Sequence, residues 1–131
     1  MKQLKTGNVV LCEYVAKSEG GKFTLVNVYG GDVLVSNMPA RLHLGLYIEF
    51  LPDIDGELEL DVVMELDSQK IEVKGALAEL QKGSVAVIHL PGIQFSVNNL
   101  SELNVYLRSP GYRITKVLTK KISLMGQIVA S

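Results

Sequence analysis

From Glu57 to Asp67 the chain alternates almost without fault: Leu58, Leu60, Val62, Met64 and Leu66 fall between Glu57, Glu59, Asp61, Val63, Glu65 and Asp67. Successive side chains of a β-strand point to opposite faces, so this spacing makes one apolar face and one charged face. A helix would mix the two sets around its axis. The segment therefore reads as a strand of an antiparallel sheet, covered on one side and wet on the other. The period recurs nearby. Ile71, Val73 and Leu77 alternate with Glu72 and Lys74, and Asp67-Ser68-Gln69-Lys70 reads as the hairpin turn between the two runs. Upstream, Leu42, Leu44, Leu46, Ile48 and Phe50 form another single-faced row that stops at Pro52, a residue unable to donate to a ladder. Pro52-Asp53-Ile54-Asp55-Gly56 carries turn chemistry, which makes strands 42–51 and 57–67 expected antiparallel neighbours or near neighbours.

The remaining segments follow the same rule. A first strand from about Asn8 to Lys17 is apolar on both faces, as expected of a central strand or one covered by a partner. Glu19-Gly20-Gly21-Lys22 is a hairpin turn leading to a strand over Phe23–Tyr29, which Gly30-Gly31-Asp32 breaks before a short Val33–Val35 continuation. Val85–Leu90 is a strand ended by Pro91-Gly92, with Ile93–Val97 a separate candidate. Leu103, Val105 and Leu107 alternate with Asn104, Tyr106 and Arg108, and Arg113–Leu124 supplies the last strand after Ser109-Pro110-Gly111. Eight or nine short strands with turns between them, and no segment of helical period, specify an all-β antiparallel sandwich, immunoglobulin-like in general architecture. The 131 residues contain no linker or repeat and form a single domain, 1–131.

Composition narrows the partners. Thirteen basic residues against fourteen acidic ones leave a net charge of -1, which argues against bulk electrostatic binding to nucleic acid or to an anionic membrane. The single cysteine, Cys12, cannot form an internal disulfide and suits a reducing, cytoplasmic setting. The N-terminus lacks the apolar core of a secretory signal, and no apolar run is long enough to span a bilayer.

The motifs that carry chemistry are thin. Asp53-Ile54-Asp55-Gly56-Glu57 begins like a calcium loop, but its twelfth position is Met64 where an EF-hand needs a bidentate acid, so a hairpin turn is the better reading. His43 and His89 are the only histidines, and nothing in their spacing brings them together. Cys12 lies between Leu11 and Glu13 inside a strand, where a thiol behaves as a small hydrophobe. The acidic row Glu57, Glu59, Asp61, Glu65 and Asp67 reads as a solvated strand face. Gly-rich phosphate loops and a Gly-x-Ser-x-Gly elbow are absent, and no motif calls for a metal or cofactor. Arg108, Arg113, Lys116, Lys120 and Lys121 make the C-terminal hairpin basic beside Tyr106 and Tyr112, with the acidic row as an alternative partner within the molecule or across a dimer.

The segments Leu11-Cys12-Glu13-Tyr14-Val15, Gly20-Gly21-Lys22-Phe23-Thr24-Leu25-Val26-Asn27-Val28-Tyr29-Gly30-Gly31-Asp32 and Pro39-Ala40-Arg41-Leu42 together resemble the opening of an uncharacterised bacterial family. That family is a small β-sandwich domain of unknown function. Its members open with a Cys-acidic-Tyr strand, a Gly-Lys turn and a Leu-Val strand ending in Gly-Asp. The resemblance covers roughly residues 11–67 and is looser beyond, around Gly111-Tyr112-Arg113. It implies a sandwich fold and a bacterial origin, and brings no catalytic residue.

These observations lead to the expectation of a non-catalytic protein-interaction or self-association module. The candidate interaction residues are Tyr14, Tyr29, Tyr47, Tyr106, Arg108 and Arg113. The alternative is a small-ligand or carbohydrate-binding sandwich, for which a pocket lined by Tyr14, Tyr29 or Tyr47 would speak.

Overall fold

The inner rows read from the sequence do meet across a common core. In the computed structural model, which describes residues 2–125, the strands are β1 (Lys2–Gln3), β2 (Lys5–Lys17), β3 (Phe23–Val28), β4 (Val33–Val35), β5 (Ala40–Leu51), β6 (Gly56–Leu66), β7 (Gln69–Leu80), β8 (Ala86–Val97), β9 (Glu102–Arg108), β10 (Tyr112–Arg113) and β11 (Thr115–Leu124). One sheet has the order β3-β2-β5-β8 and the other β4-β11-β9-β6-β7, with a small β1-β10 pair beside them. Leu44, Leu46, Ile48 and Phe50 of β5 and Phe95 of β8 bury against Met64 and Leu66 of β6 and Leu103, Val105 and Leu107 of β9. Full burial of each such side chain stabilises the fold by about 1.5–3 kcal/mol. The chain is an all-β sandwich, with eleven strands among the described residues where eight or nine were expected.

Three expectations are corrected. β5 and β6 are not sheet neighbours: they lie in opposite sheets, and the link after Leu51 carries the chain across the core. Each strand has one apolar row, and facing rows satisfy both as well as a hairpin would. Tyr112 Oη donates to Asp53 Oδ1 at 2.7 Å and so ties this link to β10. Next, Pro91-Gly92 does not end a strand. β8 runs through both residues by a bulge in which Leu44 and Leu46 of β5 face Ile93 and Leu90. A bulge on an edge strand accommodates the missing N–H of proline. The single last strand is two, β10 and β11, separated at Ile114. The long ladders are antiparallel as expected, and two short parallel pairs, β1 with β10 and β4 with β11, join them. The expected hairpin of β6 and β7 is present, with Asp67 at φ 58 in the turn.

β2 explains its own two-sided apolarity. Its first part pairs with β5 as far as Cys12–Gly45, and its second part pairs only with β3. Past Cys12 it crosses the outer face of β5 and β8. A Cβ at Gly45 would lie 2.9 Å from the Pro91 carbonyl oxygen and 3.3 Å from Tyr14 Cα, and one at Gly92 would lie 3.2 Å from the Glu13 carbonyl oxygen. Glycine is required where backbones approach this closely. At the far end of the hairpin the Phe23 ring sits 5.6 Å from Tyr47 and 4.9 Å from His89. The cover for this strand is therefore supplied from within the chain, by its own hairpin folded over the sheet.

Candidate functional site

The six residues picked out from the sequence do not converge. Tyr14 is half exposed on the β2–β3 hairpin, directly opposite Val26, with Val28 also exposed on β3. Tyr47 is partly covered by Phe23, and its hydroxyl lies 3.4 Å from Glu49 Oε2. Burial first, and then the Glu49 charge, push the Tyr47 hydroxyl above its ordinary pKa. Tyr106 lies on β9, on the outer face of the other sheet, with Lys116 Nζ 5.8 Å from its ring centroid. Arg113 is exposed on β10.

Arg108 is engaged within the molecule, by Asp61 of the acidic row named above and by Glu72 of β7. Its Nη2 donates to Asp61 Oδ2 at 2.9 Å and to Glu72 Oε2 at 3.2 Å, and Lys70 Nζ lies 3.4 Å from Glu72 Oε1. Hydrogen bonding to the guanidinium, reinforced by its charge, holds the Glu72 carboxyl below the usual carboxylate range. The cluster bridges β9, β6 and β7 across the outer sheet face. Exposed pairs of this kind contribute little to stability but fix which charges remain available.

The other chemistry-bearing residues have structural employment. Asp53 accepts from Tyr112, and Asp55 Oδ1 accepts the Lys82 backbone N–H at 2.8 Å, so both carboxylates of the acidic turn anchor loops. The Cys12 thiol is fully buried and donates to the Tyr14 carbonyl oxygen at 3.3 Å. Burial pushes its pKa up, which suppresses the thiolate that nucleophilic chemistry needs. His43 is exposed on β5, whereas His89 is part-buried on β8 beneath Phe23.

Two openings flank the sandwich. Between the edge strands β7 and β8 is an apolar slot of about 250 Å³, lined by Leu60, Val62, Val73, Leu77, Ile88 and Leu90 among others. Its ends are tied by polar latches. The Gln69 side-chain amide bonds both the N–H and the carbonyl of Ser96 at one end, and Asp55 holds Lys82 at the other. Between β4 and β5 is a larger notch of about 350 Å³, lined by Glu13, Tyr29, Asn37, Arg41 and His43 together with Leu34 and Leu42. Tyr29 Oη donates to the His43 carbonyl oxygen at 3.2 Å. Burial, followed by the nearby Glu13 charge, pushes the Tyr29 hydroxyl up. Of the six sequence candidates only Tyr29 belongs to this notch. Arg41 and Glu13 were not singled out, because their approach depends on the departure of β2 from β5. Gly45, lying inside a run of alternating apolar residues, was the sequence signal for that departure.

No known protein family matches the chain, and no curated protein matches it in sequence. Among solved structures it is similar to part of a beta-glucosidase from Listeria innocua, in complex with gluconolactone. The TM-score is 0.45 and the identity 12%, over 92% of this chain and 16% of that one.

Proposed function

We propose that this domain is a non-catalytic module that self-associates by pairing β3 of one copy antiparallel with β3 of another. The observation that carries the reading is the character of β3 as an edge. It is six residues long, Phe23–Val28, has no strand on its outer side among the described residues, and contains neither a charge nor a proline, with Asn27 at φ 53 bending it only at its penultimate residue. Natural sheets guard free edges with such features, and the other edges here have them. β4 is only three residues long. β7 presents Lys70, Glu72, Lys74 and Glu79. β8 carries the Pro91 bulge and the Gln69 amide.

A second copy is the occupant that the charges favour. Lys17 and Lys22 stand at the tip of the β2–β3 hairpin, and Glu13 and Asp32 stand near its other end. Antiparallel pairing about a two-fold axis sets each tip against the acidic end of its partner, while the uncharged centres meet without repulsion. Val26 and Val28, both exposed, would gain cross-strand neighbours along the seam. The buried thiol of Cys12, with its raised pKa, supports a non-catalytic role and suits a reducing, cytoplasmic setting.

Light scattering across a concentration series tests the reading. The parent chain is expected to move from monomer to dimer, and Val26→Lys, which puts a charge from each copy into the uncharged centre of the seam, is expected to stay monomeric with an unchanged fold. A parent that remains monomeric up to submillimolar concentration, or a Val26→Lys dimer as tight as the parent, overturns it.

A further inference from the structure

The notch between β4 and β5 exists because β2 abandons β5. Pairing between them ends at Cys12–Gly45, so Ala40–Leu44 of β5 has a strand only on its β8 side. Tyr29 closes part of the bare edge through its bond to the His43 carbonyl. Two opposite charges line the space beside it without meeting. Arg41 has no carboxylate within ion-pair distance among the described residues. Glu13 is half-buried and is bonded by the neutral amide of Asn27. Opposite charges that share a small cavity gain by pairing directly, and more so where water is partly excluded. Here the fold holds them apart on β2 and β5, in a lining that also includes the aliphatic side chains of Leu34 and Leu42. A cation, an anion and an apolar patch held in this way match the parts of one class of ligand.

We propose that the notch binds a free α-amino acid with an aliphatic side chain. Its carboxylate lies on the Arg41 guanidinium, whose planar fork suits two-point recognition of that group. Its ammonium lies on Glu13, and its side chain lies against Leu34 and Leu42. A volume of about 350 Å³ stands at the small end of ligand cavities, as this ligand requires. The site does not use the outer edge of β3; it shares only Glu13 with the acidic end of the seam, and Val26→Lys, outside the notch lining, separates the two readings.

Heteronuclear NMR of the full chain, titrated with L-leucine, N-acetyl-L-leucine and L-leucinamide, tests the assignment. Leucine is expected to shift resonances around Glu13, Tyr29 and Arg41. Each blocked analogue lacks one charge and is expected to bind about tenfold more weakly, the worth of one hydrogen-bonded charge. Arg41→Gln should lose the preference for leucine over leucinamide, and Glu13→Gln the preference over N-acetyl-leucine, with core resonances unmoved in both. The absence of notch shifts at tens of millimolar leucine, about the weakest binding worth assigning, overturns the proposal. So does an Arg41→Gln chain that binds leucine as tightly as the parent. Val26→Lys is expected to bind leucine as the parent does, so this site and the β3 seam fail separately.

Discussion

The two lateral openings of the sandwich are built from similar parts and end up chemically opposite. Between β7 and β8 both sheets expose a long edge strand, and the gap is aliphatic and tied at its ends by Gln69–Ser96 and Asp55–Lys82. Between β4 and β5 the gap is larger and polar, with Arg41 and Glu13 left apart. The difference traces to one strand. β7 and β8 each keep one sheet partner along their length, whereas β2 changes partner at Gly45 and leaves half of β5 bare. The two openings thus differ in the polarity of their linings, and the difference follows whether their bordering strands stay in their sheets.

The comparison can be broken or sharpened by substitution. The largest effect is expected from Phe95→Ala, which removes a fully buried ring from the core shared by both openings. It should cost about 3–5 kcal/mol in denaturant unfolding, and a loss below that would mean that the sheets collapse onto the cavity. Gly45→Ala comes next, because its Cβ would meet the Pro91 carbonyl oxygen at 2.9 Å and Tyr14 Cα at 3.3 Å, both backbone atoms. A cost of about 1–3 kcal/mol, with chemical-shift changes at Tyr14 and Phe23, is expected as the hairpin lifts. The matched change on the aliphatic side, Gly75→Ala, would place its Cβ no closer than 3.8 Å to the Leu60 carbonyl oxygen. It should be neutral or stabilise by up to about 1 kcal/mol, because a strand glycine costs conformational entropy. If both alanines behave alike, the crossing of β2 is not what distinguishes the two sides.

Gln69→Ala cuts one latch of the slot. Ser96 is exposed, so water replaces the amide and the expected cost is at most about 1 kcal/mol. Faster amide exchange at Ser96 is the more sensitive readout. The smallest effect concerns the Arg108 cluster. Glu72 should titrate below the ordinary 4.5 in a carboxyl-detected NMR series, and Arg108→Gln should move it back toward that value, with Lys70 keeping part of the depression. Because the folded-state pKa is depressed, the pair stabilises above the ordinary value, and its share is lost as pH falls through the depressed one. An unshifted Glu72 would show that the guanidinium serves Asp61 alone.

Much of the core was legible in advance. The alternation of Leu58 to Leu66 and of Leu42 to Phe50 named buried residues correctly, since inward and outward facing is a nearest-neighbour property of an extended chain. The acidic row was placed on the outer face, and Cys12 was read as buried. Other features were hidden. β5 and β6 looked like a hairpin because a short turn-rich link joins them, yet such a link serves a crossing between sheets equally well. Val63 sits in the charged row but is 5% exposed, because Tyr106, its partner across β9, lies beside it. The notch was illegible for the same reason: Glu13 and Arg41 are separated along the chain and meet one space only through the path of β2.

Periodicity and turn residues established which side chains turn inward and therefore that two apolar faces must close on each other. They did so because the forces involved act between residues a few positions apart. Which strands became neighbours, where β2 changed partner and which charges were left facing each other depended on how distant segments fit. Backbone clearance at Gly45 and Gly92 settled that fit, and local spacing holds no record of it.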